Sequence, residues 1–248
     1  MIKILGIKIS TLPYNKSLKF IVDNINENKQ LFVSTPNPEI LLEARKNEKF
    51  KKILNESTNL NTADGIGLIY ASKYLKIRGK IDKKIPERVS GSDLMMSICM
   101  EERLKTKKIF LLGASEEVSK KTKEILKEKI PGIQVCGRYS GKSDESDDIK
   151  SVKLINDSGA NILFVAFGAP KQEFWIERNK KNLPNIKLFI GIGGSFDFIS
   201  GEKKRAPKLM QKMGLEWLYR LYIEPKRIKR ILKAVIIFPS IVLKEDLF

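Results

Sequence analysis

The 248-residue chain contains no histidine. That absence removes Ser-His-Asp triads, Cys-His dyads, imidazole acid/base catalysis and histidine-ligated zinc together, so any general base must be a carboxylate, Lys, Tyr or Cys. Cysteine is nearly absent as well. Cys99 and Cys136 lie far apart in apolar surroundings without Cys-x-x-Cys spacing, which favours buried thiols in a reducing cytoplasm over a metal site or a disulfide framework. No Asp-x-Asp motif offers a carboxylate pair to a metal ion. A complete Gly-x-Gly-x-x-Gly with an acid some 20 residues on is also missing, which argues against a dehydrogenase. Met1 to Ser10 alternates as Ile2, Ile4, Ile7 and Ile9 and lacks the apolar core and cleavage site of a signal peptide, so the protein is expected to stay inside the cell. The apolar run Ala234 to Leu243 contains Pro239 and falls well short of the roughly 20 residues of a spanning helix.

What is present is a chain that is 42% hydrophobic with a formal charge of +18, long enough to bury a proper core. The charge is unevenly placed: Lys203 to Lys233 holds eleven Lys or Arg against only Glu216 and Glu224, which implies an anionic partner. Over the first 200 residues, strand-length apolar runs alternate with amphipathic segments. The runs are Leu31 to Ser34, Leu60 to Thr62, Ile109 to Leu112, Ile133 to Cys136, Ile162 to Phe167 and Leu188 to Ile190. The segments are Ile40 to Leu54, Gly67 to Leu75, Asp93 to Leu104, Glu116 to Ile130, Ile149 to Ser158 and Gln172 to Asn182. That order predicts an α/β fold with a largely parallel, Rossmann-like sheet covered by helices over residues 1–200. Residues 201–248 read as a helical appendage. There Ile228, Ile231, Leu232 and Val235 form one stripe amid Lys226, Arg227, Lys229, Arg230 and Lys233, the pattern of a helix lying on an anionic membrane surface. The same stripe fits docking on the core or on a second subunit, so a homo-oligomer is also permitted.

Chemistry-bearing residues cluster after the apolar runs, where α/β proteins gather their sites. Asp64 follows Leu60 to Thr62 and is the first candidate base, although Asp64-Gly65 alone fits a turn or helix N-cap better. Thr35 and Asn37, stiffened by Pro36 and Pro38, suit recognition of sugar hydroxyls or an acetamido group; helix capping explains them equally well. Arg88 presents a fork for a phosphate or a leaving-group oxygen, or for a surface ion pair. Gln172 opens a helix after the strongest strand, close to N–H groups that attract anions. Gly193 and Gly194 permit a pyrophosphate to approach, though close packing needs glycine too. Arg220, Arg227 and Arg230 can fold back over the site to hold a diphosphate, or touch lipid phosphates.

In order along the chain, Thr35-Pro36-Asn37-x-Glu39, Ala63-Asp64-Gly65, Pro86-Glu87-Arg88-Val89-x-Gly91-x-Asp93, Gly168-Ala169-Pro170-Lys171-Gln172-Glu173, Gly193-Gly194-Ser195-Phe196-Asp197, Arg205-Ala206-Pro207 and Gly214-Leu215-Glu216-Trp217 resemble the WecG/TagA/CpsF glycosyltransferases. The resemblance implies a membrane-associated bacterial enzyme, peripheral on the inner face of the cell membrane, that moves a sugar from a UDP-sugar to an undecaprenyl-diphosphate-linked acceptor. In the teichoic-acid branch, which the Trp217 to Arg230 pattern most resembles, the sugar is N-acetylmannosamine and the acceptor GlcNAc-diphosphoundecaprenol, with inversion and without a metal or other cofactor. By the same resemblance Asp64 is the base, Thr35, Asn37 and Gln172 line the sugar pocket, Arg88 contacts the substrates, and the basic tail meets the membrane and helps close the site. The lysine-rich stretch Lys76 to Lys84 is longer than the family pattern. Other members use N-acetylmannosaminuronate, glucose or galactose donors, and no residue here decides among them. The rival from another class is a nucleic-acid-binding protein, argued from a pI near 9.7. Trp217, Tyr219 and Tyr222 precede the densest charge rather than interleave with it, so no nucleic acid is expected as partner.

Overall fold

The computed structural model describes residues 1–246, so Leu247 and Phe248 of the helical segment expected over 201–248 lie outside the described residues. The chain opens with a hairpin of β1 (Ile2–Ile4) and β2 (Ile7–Ile9), paired Ile2 with Ile9 and Ile4 with Ile7. Leu5 and Gly6, both at positive φ, make its two-residue turn, a geometry that matches the twist of the flanking strands. The isoleucine alternation thereby places all four side chains on one buried face.

Six further strands form one wholly parallel sheet in the order β4-β3-β8-β7-β5-β6. They are β3 (Leu31–Ser34), β4 (Leu60–Asn61), β5 (Ile109–Gly113), β6 (Val135–Tyr139), β7 (Ile162–Ala166) and β8 (Leu188–Gly191). Covered on both faces, these strands are continuous apolar runs whose alternate residues enter different cores. Val33, Leu111, Phe164 and Ile190 join Ile21 and Ile25 of α1 (Tyr14–Asn26), and further residues of α5 (Gly91–Met100) and α6 (Glu116–Lys129). Phe32, Leu112, Val165 and Phe189 instead pack on Ile155 of α7 (Asp148–Ser158) and Trp175 and Ile176 of α8 (Lys171–Asn179). The Rossmann-like reading is thus the observed architecture.

Local departures have local causes. The helix expected over Ile40 to Leu54 is two, α2 (Pro38–Lys46) and α3 (Glu48–Lys52), followed by a wider helical turn at Ile53–Ser57. The break is at Asn47, whose extended backbone ends α2 while its side chain caps α3 by accepting from the Phe50 N–H at 3.1 Å. The strand expected at Ile133 to Cys136 begins instead at Val135. After α4 (Ile66–Ile77), short α9 (Ser195–Ile199), α10 (Lys208–Lys212) and α11 (Glu216–Ile223) follow the last strand. The chain then runs through α12 (Ile228–Leu232), a wide turn at Lys233–Ile237 and α13 (Phe238–Asp246). Phe238 and Val242 are buried with Leu41 of α2, Leu68 of α4 and the hairpin isoleucines in a third cluster. The stripe therefore divides: Ile231 is buried, whereas Ile228, Leu232 and Val235 are exposed, as is the neighbouring Ile236.

Candidate active site

The carboxyl ends of β3, β4, β7 and β8 open into one cavity of about 860 Å³, roofed by the C-terminal helices. Loops at this edge of a parallel sheet are free to vary while the strands hold them in place. Thr35, Asn37, Asp64, Arg88, Gln172, Gly193, Gly194, Arg220, Arg227 and Arg230 all line it. The sheet brings the first seven together, and the return of the C-terminal chain adds the last three.

Thr35, Asn37 and Gln172 spend hydrogen bonds on the protein itself. The Thr35 hydroxyl donates to the Gly191 carbonyl at 3.1 Å, and Asn37 Oδ1 accepts from the Ile40 N–H at 3.0 Å, capping α2. Gln172 is 2% exposed. Its Oε1 accepts from the Gly193 N–H at 3.0 Å and its Nε2 donates to Glu173 Oε1 at 2.9 Å. Gly191 makes that placement possible, because a Cβ there would stand 2.6 Å from Gln172 Nε2. These residues shape the wall and brace the glycine turn.

Asp64 is not the cap of the following helix. That position falls to Gly65, which offers no side chain and holds a φ of 136°. Asp64 is held by its own N–H, which donates to the Pro36 carbonyl at 2.9 Å, while Val89 N–H donates to the neighbouring Ala63 carbonyl at 2.9 Å. Its carboxylate faces Arg88 Nε at 3.7 Å and accepts from the Gly91 N–H at 3.4 Å. About a third of the side chain is open, toward the cavity. Sunk at the cavity wall, the carboxyl is pushed above the usual aspartate range by burial; Arg88 and Arg220 pull it back and Glu216 adds to the rise.

Arg88 is the hub of a network rather than half of a surface pair. Its guanidinium meets Glu216 at 2.6 Å and Asp93 at 3.9 Å besides Asp64. Glu216 also accepts from Arg220 at 2.6 Å, and Arg220 stacks on Phe198 with its guanidinium carbon 4.8 Å from the ring centre. Asp93 is gripped by both terminal nitrogens of Arg205. Burial works to raise Glu216 and Asp93, but the arginines win: Arg220 and Arg88 hold Glu216 down, and Arg205 with Ser90 holds Asp93 down. Three carboxylates within one network thus divide in kind. Asp64 alone is raised toward a proton-accepting range, while the other two stay as fixed anions that orient arginines. Farther out, Arg227 pairs with Glu224 at 2.6 Å and Arg230 with Glu39 at 2.7 Å.

Sequence reasoning did not assign roles to Glu216, Asp93, Arg205 and Glu173, although each lies within a quoted motif. The contacts that give them roles span large separations, 128 residues for Arg88 to Glu216 and 112 for Arg205 to Asp93.

A family model described as "Glycosyl transferase WecG/TagA/CpsF family" matches residues 2–248. Among curated proteins, the N-acetylglucosaminyldiphosphoundecaprenol N-acetyl-beta-D-mannosaminyltransferase of Bacillus spizizenii is 35% identical over 222 residues, covering 90% of this chain and 82% of that protein. The protein of the same name from Staphylococcus aureus is 32% identical over 232 residues, covering 90% of this chain and 86% of that one.

Proposed function

The chain belongs to the WecG/TagA/CpsF family of glycosyl transferases, and from that premise we propose that it moves N-acetylmannosamine from UDP-N-acetylmannosamine to GlcNAc-diphosphoundecaprenol, with inversion and without a metal. The names of the two relatives specify both the transferred sugar and the acceptor, and so support this reading. The observation that carries the chemistry is the division of carboxylates around Arg88, which leaves one base, Asp64, at a cavity wall rich in arginine.

In this reading Asp64 takes the proton of the acceptor hydroxyl as that oxygen attacks the anomeric carbon. The bond from that carbon to the diphosphate breaks on the opposite face, and UDP leaves with the electron pair. Arg88 stands beside the base, and the Gly193 and Gly194 turn allows the donor diphosphate close to the backbone. Arg220, Arg227 and Arg230 offset diphosphate charge, exchanging their present carboxylate partners for phosphate oxygens. Among the described residues no three Cys, Asp or Glu side chains gather into a metal-holding group. The test is UDP release from UDP-N-acetylmannosamine and a short-chain GlcNAc-diphospholipid in EDTA. Release in EDTA is expected; activity only with added divalent cation sinks the metal-free mechanism, and activity only with another UDP-sugar sinks the donor assignment.

Among the described residues no helix is long and apolar enough to cross a membrane. The exposed apolar side chains Leu218, Tyr222, Ile228, Leu232, Val235 and Ile236, taken as one face, are instead read as lying on the cytoplasmic leaflet, their basic neighbours meeting anionic headgroups. Away from lipid, a second copy would cover the same face. Truncating the tail is a poor test, because it also strips buried Phe238 and Val242 from the core. Leu232→Glu with Ile236→Glu changes only exposed positions. This pair is expected to leave the thermal midpoint within a few degrees and to abolish sedimentation with anionic vesicles; undiminished sedimentation places the contact elsewhere.

A further inference from the structure

Glu173, the third residue of α8, is wholly buried behind the cavity wall. Its hydrogen-bond partners are neutral. Ser34 Oγ donates to its Oε1 at 3.2 Å and Gln172 Nε2 donates to the same oxygen at 2.9 Å, while Oε2 has no hydrogen-bond partner among the described residues. A carboxylate ion so placed lacks compensation, and burial accordingly pushes the group upward, toward the neutral acid. The mechanism above gives it no task.

Its geometry does. A glutamine amide can present either end to a neighbour, and the choice is settled by what surrounds it. Glu173 Oε1 accepts, so it selects the NH2 of Gln172 and turns the amide oxygen toward the Gly193 N–H at 3.0 Å. The flipped amide would set oxygen against oxygen at Glu173 and N–H against N–H at Gly193. Gly193 sits at a φ of 52° with no side-chain atom near its Cβ position, so this one hydrogen bond is its chief side-chain restraint.

We propose that Glu173 is a positioning residue for the nucleotide-sugar site: it fixes the Gln172 amide, which in turn fixes the Gly193-Gly194 turn against which the donor diphosphate lies. The inference rests on the functional reading above and adds a residue that touches no substrate. The acceptor at Oε1 is what matters, so Glu173→Gln, which keeps a carbonyl oxygen there and a proton-bearing group at Oε2, retains the arrangement. Glu173→Met keeps volume and removes the acceptor.

The experiment pairs steady-state kinetics with hydrogen exchange at the Gly193 amide in the full chain without substrate. E173M is expected to raise KM for UDP-N-acetylmannosamine by about tenfold, the loss of one buried hydrogen bond. Its kcat should change far less, and Gly193 exchange should speed by a similar factor. E173Q should restore both to near the wild-type values. Wild-type KM and exchange in E173M overturn the inference, as does an E173Q as impaired as E173M. If E173M does not fold, Glu173→Asp takes its place, because a side chain one methylene shorter withdraws the acceptor from Gln172 while keeping the acid. It must show the faster Gly193 exchange while E173Q does not, and any other pattern overturns the inference. Exchange needs no turnover. A wild-type protein inactive on UDP-N-acetylmannosamine therefore counts against the functional reading, while exchange still decides the role of Glu173.

Discussion

Asp64→Asn is expected to lower the transfer rate by about 10²- to 10⁴-fold, the usual contribution of a positioned general base, while UDP binding measured by calorimetry stays near wild type. The substitution removes a proton acceptor and leaves the shape of the wall, and the carbonyl oxygen of the new amide can still accept from the Gly91 N–H. Turnover within a few-fold of wild type would move the base elsewhere. The wild-type pH profile carries the same assignment. Only the ionised carboxylate accepts a proton, and burial raises its pKa, so activity should fall with falling pH on an acid limb lying above the ordinary aspartate range. Stability should move the other way. A group whose folded pKa is raised contributes stability below its unfolded pKa of about 4 and loses it as pH rises through the folded value. The amide variant has no such loss. Its melting temperature relative to wild type should therefore climb as pH increases across that window, and a flat difference would show that Asp64 is not held under strain by its surroundings.

The parallel sheet was legible because its strands are buried on both faces, which leaves apolar runs such as Ile162 to Ala166 with little else to be. The seams of helices were less so. Apolar spacing continues unbroken through Leu41, Leu42, Phe50 and Leu54, all on buried positions, and periodicity does not register that Asn47 turns its backbone to cap a new helix. The same distinction governs the site. Which loops gather at the strand ends follows from chain order, and the residues singled out there do line one cavity. Where their polar atoms point does not follow. Gln172 is aimed into the protein by Glu173 and Gly193, a direction set by two contacts, of which the one to Gly193 is 21 residues away. Composition likewise exposed the basic excess in the tail, and the spacings that pair Arg220 with Glu216 and Arg227 with Glu224 are local, but the partner of Arg230 is Glu39 of α2, which meets it only when the C-terminal chain folds back.

Glu216 is where that return of the chain acts on the chemistry, and Glu216→Gln should have the second large effect. Its side chain, 11% exposed, joins Arg88 from the body to Arg220 from the tail, each at 2.6 Å. Losing the charge weakens two charge-assisted hydrogen bonds, each worth about 1.5–3 kcal/mol, and in the substrate-free protein leaves Arg88 with Asp64 and the more distant Asp93 as its charged partners. The expected result is a fall of about 10- to 100-fold in kcat/KM. The pH profile separates this from simple damage. Glu216 raises the pKa of Asp64 directly, and it also holds two arginines that would otherwise turn more fully toward Asp64 and lower it further. Both influences end in the variant, so the acid limb should move to lower pH even as the rate drops. A slower enzyme with an unmoved acid limb would mean that Glu216 only fastens α11 to the body. A shifted limb would mean that the tail, through this one carboxylate, tunes a basicity that burial has already raised, so that the C-terminal helices act on the catalytic group as well as on the substrate.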